Sequence, residues 1–269
     1  MILTSGHPQA LQSAALTDVG LRRERNEDSL IALPEHGIFA VADGMGGATG
    51  GREASQAIIE CIRDAAAVER IKDASEQEVQ RIVQEAISTA NRAILHYAEE
   101  HGAYGMGSTV VALHLNRVRN TASVTHAGDS RAYLYRGGKI KRLTADHTIA
   151  AEIGIDDEAE IVPTCIDGML TRAIGLQDPV ELEFSDLKTR PGDVFLLCSD
   201  GLTRHLTDRD IASYLSKYPS MSLEKITEEL VSETKRRGAF DNVTVVAVAV
   251  DEQQQKQRRG GFLSFFMSF

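Results

Sequence analysis

Ile38-Phe-Ala-Val-Ala-Asp43-Gly-Met-Gly-Gly47 is the stretch whose reading decides the fold. Its apolar run, bounded by glycine on both sides, predicts a short strand buried on both faces. Asp43 closes that strand and therefore stands at the rim of a core. A bare charge is costly there, so the carboxylate calls for a basic side chain or a metal ion as partner. The glycines that follow let backbone approach whatever Asp43 holds.

Working outward, 269 residues with 42% apolar composition suffice for a full core in one large domain. No run approaches transmembrane length, and the N-terminus lacks the basic and long apolar stretches of a secretory signal, which predicts a cytoplasmic protein. Cys61, Cys165 and Cys198 are odd in number, widely spaced and without a Cys-x-x-Cys pair, the pattern of reduced, packed thiols. A formal net charge of -10 disfavours a nucleic acid partner. It leaves phosphorylated substrates open, because acidic groups can bind divalent cations that then face a phosphate.

Along the chain, residues 1–13 read as a flexible leader, 14–250 as one domain and 251–269 as a basic and aromatic tail. Strands are expected at Ala14–Val19, Asp28–Leu33 and Ile38–Asp43, with a polar loop of mixed charge between the first two. Two amphipathic helices follow, marked by Ala54, Ile58, Cys61 and Ile62 and then by Val79, Val83, Ile87, Ile94 and Tyr97. Such a helix pair after strands suggests a layer packed on a sheet. From Gly107 the pattern becomes strand-like, with hairpin composition at Asn116–Asn120 and Arg136–Gly138, and predicts an antiparallel meander. Thr144–His147 resembles a helix start, Gly154–Gly168 a mobile acidic loop, and Val180–Phe184 and Asp193–Ser199 further strands. A third long helix around Leu223–Val231 precedes a closing strand at Val243–Val250. The tail carries Lys256, Arg258 and Arg259 and four of the eight Phe, which reads as a frayed end or as a segment that touches a membrane surface or a partner.

Two apolar strands end alike, in Asp43-Gly44 and Asp200-Gly201, while Asp241-Asn242 opens the final strand and Asp129 follows the strand at Val124–Ala127. Brought together, these carboxylates would repel one another severely unless hard divalent cations filled the gap. All-oxygen ligation selects Mg or Mn over zinc or copper. A single Asp-Gly is common in turns; the joint pattern is far more specific.

Arg23-x-x-Asn26-Glu27-Asp28, Val41-Ala-Asp43-Gly-Met-Gly-Gly47, Gly107-Ser-Thr109, Gly128-Asp-Ser-Arg131, Leu143-Thr-x-Asp146-His147, Ser199-Asp-Gly201 and Asp241-Asn-Val-Thr244 occur in an order that resembles metal-dependent serine/threonine protein phosphatases of the PPM type (protein phosphatase 2C), in their bacterial branch. The resemblance covers Ala14 to Val250. It implies an α+β fold, a four-layer α-β-β-α sandwich of two stacked, mainly antiparallel sheets flanked by helices. It further implies that Asp43 bridges two Mg or Mn ions, with the Gly44 carbonyl on one and Asp200 and Asp241 on the other, and that a hydroxide shared by the ions attacks phosphorus directly. Arg23 would grip the phosphate, with Glu27, Asp28, Asp146 and His147 behind the ligands, and Asp129 would join Asp200 on a third ion. The implied substrates are phosphoserine and phosphothreonine proteins, opposing a bacterial Ser/Thr kinase, and the expected state is a monomer. The plain reading of Arg23 is a surface ion pair with Glu24 or Glu27. Animal members carry a histidine, proposed to protonate the leaving group, where this chain has Met45, which leaves water or another group such as His147 for that step. His126 reads as packing.

Three competing readings are weaker. Cys198-x5-Arg204 matches the thiolate phosphatases formally, but Asp200 lies beside the sulfur and no glycine-rich cradle follows. Binuclear metallophosphoesterases need Asp-x-His and Gly-Asn-His, and neither occurs. A catalytically inactive phosphoprotein-binding module would be expected to have lost one of Asp43, Asp200 or Asp241.

Overall fold

The computed structural model describes residues 3–4, 11–46, 50–67, 74–155 and 164–250. The element order is β1 (Leu3–Thr4), β2 (Gln12–Asp18), β3 (Asp28–Leu33), β4 (Ile38–Met45), α1 (Gly51–Ala66), α2 (Glu76–His101), β5 (Gly107–Ser108), β6 (Val110–Asn116), β7 (Thr121–Ala127), β8 (Arg131–Arg136) and β9 (Lys139–Arg142). It continues with α3 (Ile149–Glu152), β10 (Glu183–Lys188), β11 (Val194–Cys198), α4 (Asp200–Thr203), α5 (Asp208–Leu215), α6 (Leu223–Arg236) and β12 (Val243–Ala249).

One sheet runs β1-β2-β12-β11-β8-β9 and the other β10-β7-β6-β4-β3, with β5 hydrogen-bonded to β4. Their strand pairs are antiparallel. The strand period of two explains the layering. In β4, Phe39 and Val41 face the opposite sheet and meet Leu113, Phe195, Leu197, Val246 and Val248. Ala40 and Ala42 face the other way, against Ile58, Ile62, Val83 and Ile87 of α1 and α2. On the far side Leu196, Cys198, Val243 and Val245 bury against Ile211, Ile226 and Leu230 of α5 and α6. Both sheet faces are thus covered, which is why Ile38–Ala42 is continuously apolar.

The helices begin where short side chains satisfy their first N–H groups. Ser75 Oγ accepts from Glu78 N in α2, Ser222 Oγ accepts from Lys225 N in α6, and Thr207 and Asp210 form a reciprocal capping box in α5.

Four expectations change. Residues 1–13 are not all leader: Leu3–Thr4 pairs with Ala14–Ala15, and Gln12 and Ser13 belong to β2. The predicted meander is split between sheets, β6 and β7 in one and β8 and β9 in the other, with the chain crossing at Gly128–Ser130. Thr144–His147 does not start a helix, because the Asp146 carboxylate is held by Arg131; Thr148 caps α3 instead. The strand expected at Val180–Phe184 lies later, at Glu183–Lys188, paired with β7. The tail and residues 156–163 of the acidic loop lie outside the described residues.

Candidate active site

The inner faces of four strands end in polar groups at one mouth of the sandwich. Leu30 leads to Asp28 in β3, Val41 to Asp43 in β4, Leu197 to Ser199 after β11, and Val246 to Thr244 in β12. Every second residue of an inward-facing row has the same direction, so the polar residues are delivered to the gap between the sheets. Asp28 and Asp43 are direct cross-strand partners, an arrangement in which like charges repel.

Hydroxyls hold this mouth together. Ser199 Oγ and Thr244 Oγ1 donate to Asp28 Oδ2 at 2.8 and 2.6 Å, and Asp28 Oδ1 has no partner. At Asp43 the ladder between β4 and β6 breaks. There Asp43 N donates to Thr109 Oγ1 at 3.1 Å, while Ser108 Oγ and Thr109 N each donate to the Asp43 carbonyl at 2.9 Å. Asn242 ties the loop before β3 to β12, its Oδ1 accepting from Glu27 N and its Nδ2 donating to the carbonyls of Val19 and Arg25. Sequence reasoning places these residues in the quoted motifs but assigns them no individual role; the further signal they carry is a short polar side chain at the end of an apolar strand.

The remaining carboxylates arrive from neighbouring turns. A Cβ on Gly201 would lie 1.9 Å from the Asn242 carbonyl oxygen, so only glycine lets the Asp200 turn approach the Asp241-Asn242 segment this closely. Gly44 lies against the backbone of Gly51 and Glu27. Burial is the first cause that holds Asp43 well above the usual carboxylate range, followed by repulsion from Asp28, Asp200, Asp129 and Asp241. Burial likewise pushes Asp28 up to about 7, against its two hydroxyl donors, and Asp129 up to about 8 with Asp200 and Asp146 adding to it. It also raises Glu27. Among the described residues no basic side chain forms an ion pair with Asp28, Asp43 or Asp129, and Asp200 Oδ1 is buried without a partner. Crowded, oxygen-only donors with unpartnered lone pairs fit hard divalent cations.

Arginines stand at the edges of this cluster. Arg23 Nη2 donates to Asp241 Oδ2 at 2.7 Å, which places it at the site rather than in a surface pair with Glu24 or Glu27. Arg204 Nε donates to Asp200 Oδ2 at 2.6 Å. Asp146 is enclosed by Arg131, which is bidentate to it, and by Arg142. Asp129, Arg131, Asp146, Asp200 and Arg204 line a polar cavity of about 200 Å³.

The two groups weighed from the sequence for proton transfer and nucleophilic attack, His147 and Cys198, are otherwise engaged. His147 Nδ1 accepts from Gly128 N at 3.1 Å and its Nε2 lies 3.2 Å from Glu183 Oε2, so neither nitrogen is free to protonate a leaving group. The Met45 side chain packs beside Gly107. Cys198 is fully buried and its thiol is pushed up to about 12 by burial, the reverse of an activated nucleophile. Alkylation under native conditions should therefore modify the exposed Cys165 and leave turnover intact; loss of turnover on alkylation, with metal content unchanged, would return a thiol to the mechanism.

A family model described as "Protein phosphatase 2C" matches residues 22–236. The chain is similar to "Protein phosphatase PhpP" of Streptococcus pneumoniae, with 30% identity over 251 residues that cover 90% of this chain and 99% of the relative. The Mycobacterium tuberculosis serine/threonine phosphatase PstP/Ppp superimposes with a TM-score of 0.78 at 31% identity, over 90% of this chain and 100% of that one. The catalytic domain of PstP in complex with two manganese ions gives 0.77 at 32%, over 90% and 99%. The chain belongs to the protein phosphatase 2C family. It is a phosphoprotein phosphatase, and no helix among its described residues is long and apolar enough to cross a membrane.

Proposed function

We propose that the chain hydrolyses phosphoserine and phosphothreonine in proteins, reversing a Ser/Thr kinase, with Mn or Mg held by Asp43, Asp200, Asp241 and the Gly44 carbonyl and a third ion at Asp129 and Asp200. The observation that carries this reading is the convergence at one mouth of buried carboxylates whose protons are held too tightly for isolated acids. The relative solved with two manganese ions supports the metal class. When bound, the cations supply an activated water and positive charge at the phosphoryl oxygens.

The chain's own residues do the rest. Asp43 is fixed through its backbone by Ser108 and Thr109, so its carboxylate is preorganised in the gap between the sheets. Asp28, clamped by Ser199 and Thr244, keeps one oxygen available to orient water. Arg23, half-exposed and anchored on Asp241, presents its planar fork at the entrance, where it can take two phosphoryl oxygens. Met45 has no proton to give and the two nitrogens of His147 are committed elsewhere, so the proton for the departing serine or threonine oxygen comes from water in the site.

Manganese-dependent hydrolysis of p-nitrophenyl phosphate tests the reading, with phosphoserine and phosphothreonine peptides as the second substrate. No turnover with manganese would leave only a phosphoprotein-binding module, and unchanged turnover in Asp200→Ala would remove Asp200 from the proposed metal site. Arg23→Ala should raise KM about 10-fold with a smaller change in kcat, as expected for a contact made largely in the ground state. A fall in kcat alone would move the arginine's role to the transition state.

A further inference from the structure

A buried histidine pair lies beside the carboxylate cluster. The rings of His126 and His147 stack with centroids 4.6 Å apart and planes at 11°, and their ligand-type atoms lie within 4.8 Å of one another and of Glu183. Two histidines and a glutamate invite a metal, but the hydrogen bonds oppose it. The Gly128 N–H points at His147 Nδ1, so that nitrogen is bare and the ring's proton sits on Nε2, the atom that faces Glu183 Oε2 at 3.2 Å. An ion on Nε2 would force the proton to Nδ1, against another N–H. Nearly parallel rings also cannot both aim an in-plane lone pair at one ion between them.

The bonds form instead a continuous path into the site. His147 holds the Gly128 peptide twice: its Nδ1 accepts from Gly128 N, and its own backbone N donates to Gly128 O at 3.1 Å. Gly128 has φ +107°, and a Cβ there would lie 2.5 Å from the Thr109 side chain, so the turn is pressed onto Thr109. Two residues on, Ser130 Oγ lies 2.7 Å from Thr109 Oγ1, the atom that accepts Asp43 N. Asp129 sits in the middle of this turn. The path ends outward at Glu183, the first residue of β10, whose side chain is 45% exposed and whose strand partner is His126. His126 donates Nε2–H to the Ala145 carbonyl at 2.8 Å and backs the His147 ring.

We propose that Glu183 is a positioning residue. By accepting the Nε2–H of His147 it selects the tautomer that grips Gly128, and so fixes the turn that aims Asp129 and steadies Thr109 on Asp43. This rests on the reading of Asp129 as a ligand of the third, weakest ion. Arg172 Nη1, 3.5 Å from the same Nε2, offers a donor where only an acceptor fits, so it cannot replace the glutamate.

The test compares Glu183→Ala and Glu183→Gln in the full chain; the half-exposed site makes misfolding no concern, and the glutamine carbonyl still accepts. Nitrogen-15 NMR of His147 should show the Nε2–H tautomer in the wild type and in Glu183→Gln, and a mixture in Glu183→Ala. Gly128 amide exchange should quicken in Glu183→Ala alone. The weakest Mn binding constant, read by calorimetry, should fall about 10-fold in that variant, the usual scale for loss of an outer partner. An unchanged tautomer and Gly128 exchange in Glu183→Ala would overturn the proposal, as would an altered tautomer with an unchanged weakest constant. If the wild type bound no manganese and hydrolysed nothing, the proposed function would fall, and Gly128 exchange would still decide whether Glu183 positions the turn.

Discussion

Asp43→Asn should abolish phosphatase turnover and, in the same protein, raise the stability of the metal-free fold. The two assays move in opposite directions because the carboxylate is placed for cations and against its neighbours. It closes the inward row Phe39-x-Val41-x-Asp43, faces Asp28 across the β3–β4 ladder, and is raised by burial and by the surrounding aspartates. The amide keeps the shape and removes one charge, so packing of β4 is preserved. With manganese in excess, kcat for p-nitrophenyl phosphate should fall by about 10³-fold or more, the scale on which a preorganised electrostatic group acts. In chelator at pH 8 the melting temperature should rise by several degrees, for relief of about 1–3 kcal/mol of repulsion and desolvation. A variant that kept a tenth of the activity, or melted lower than wild type in chelator, would remove Asp43 from the centre of the site.

The second large effect is a pH slope that metal should erase. Asp28 and Asp129 titrate in the folded protein at about 7 and about 8, against an ordinary value of 3.8. Between those limits the folded state holds more protons than the unfolded chain, so stability falls as pH rises. Burial also lowers His114, to about 4, and His126, and these favour the fold as pH rises toward 6.5. Above 6.5 that opposing contribution fades, because fewer than half of the unfolded-state imidazoles still carry a proton, and Asp210, held well below the usual carboxylate range by Arg237, no longer changes. The clean window is therefore pH 6.5 to 8.5. In chelator the urea midpoint should drop across it, by on the order of 2 kcal/mol in unfolding free energy. In millimolar manganese, cations take the place of those protons and the drop should vanish. A flat or rising midpoint in chelator would mean that the carboxylates are not held protonated.

Much of this site is legible in the sequence because its carboxylates sit at boundaries that sequence marks well. Apolar runs stop at Asp43-Gly44 and Asp200-Gly201 and begin after Asp241, and the structure places each at the same mouth. The long helices are equally plain, since α1, α2 and α6 each bury a stripe of period 3.6. What strand periodicity cannot carry is sheet membership. The strands on either side of Gly128–Ser130 have ordinary hairpin-like spacing, yet they belong to different sheets. Partner choice is also hidden: Arg23 finds Asp241 at the far end of the chain, a contact decided by the β2–β12 pairing and not by the glutamates beside it. Ser199 and Thr244 stand in the quoted motifs, but nothing in the sequence shows that they meet on one carboxylate oxygen of Asp28. Helix α5 has no apolar stripe to mark it, since only Ile211 and Leu215 of its eight residues are buried, and Thr207 and Asp210 carry its one signal, the capping box.

The place of β12 has a consequence for when the molecule becomes active. The last strand among the described residues, it lies between β2 and β11, pairing Gln12 with Ala249 and Cys198 with Val245. It brings Thr244 to Asp28 and follows Asp241 and Asn242. A chain that ends at Gly238 lacks β12 from the middle of the first sheet, lacks Asp241, which anchors Arg23, and keeps only Ser199 of the two hydroxyls that hold Asp28. A nascent or truncated chain of that length is therefore expected to lack phosphatase turnover, which a truncation after Gly238 assayed with manganese and p-nitrophenyl phosphate would check.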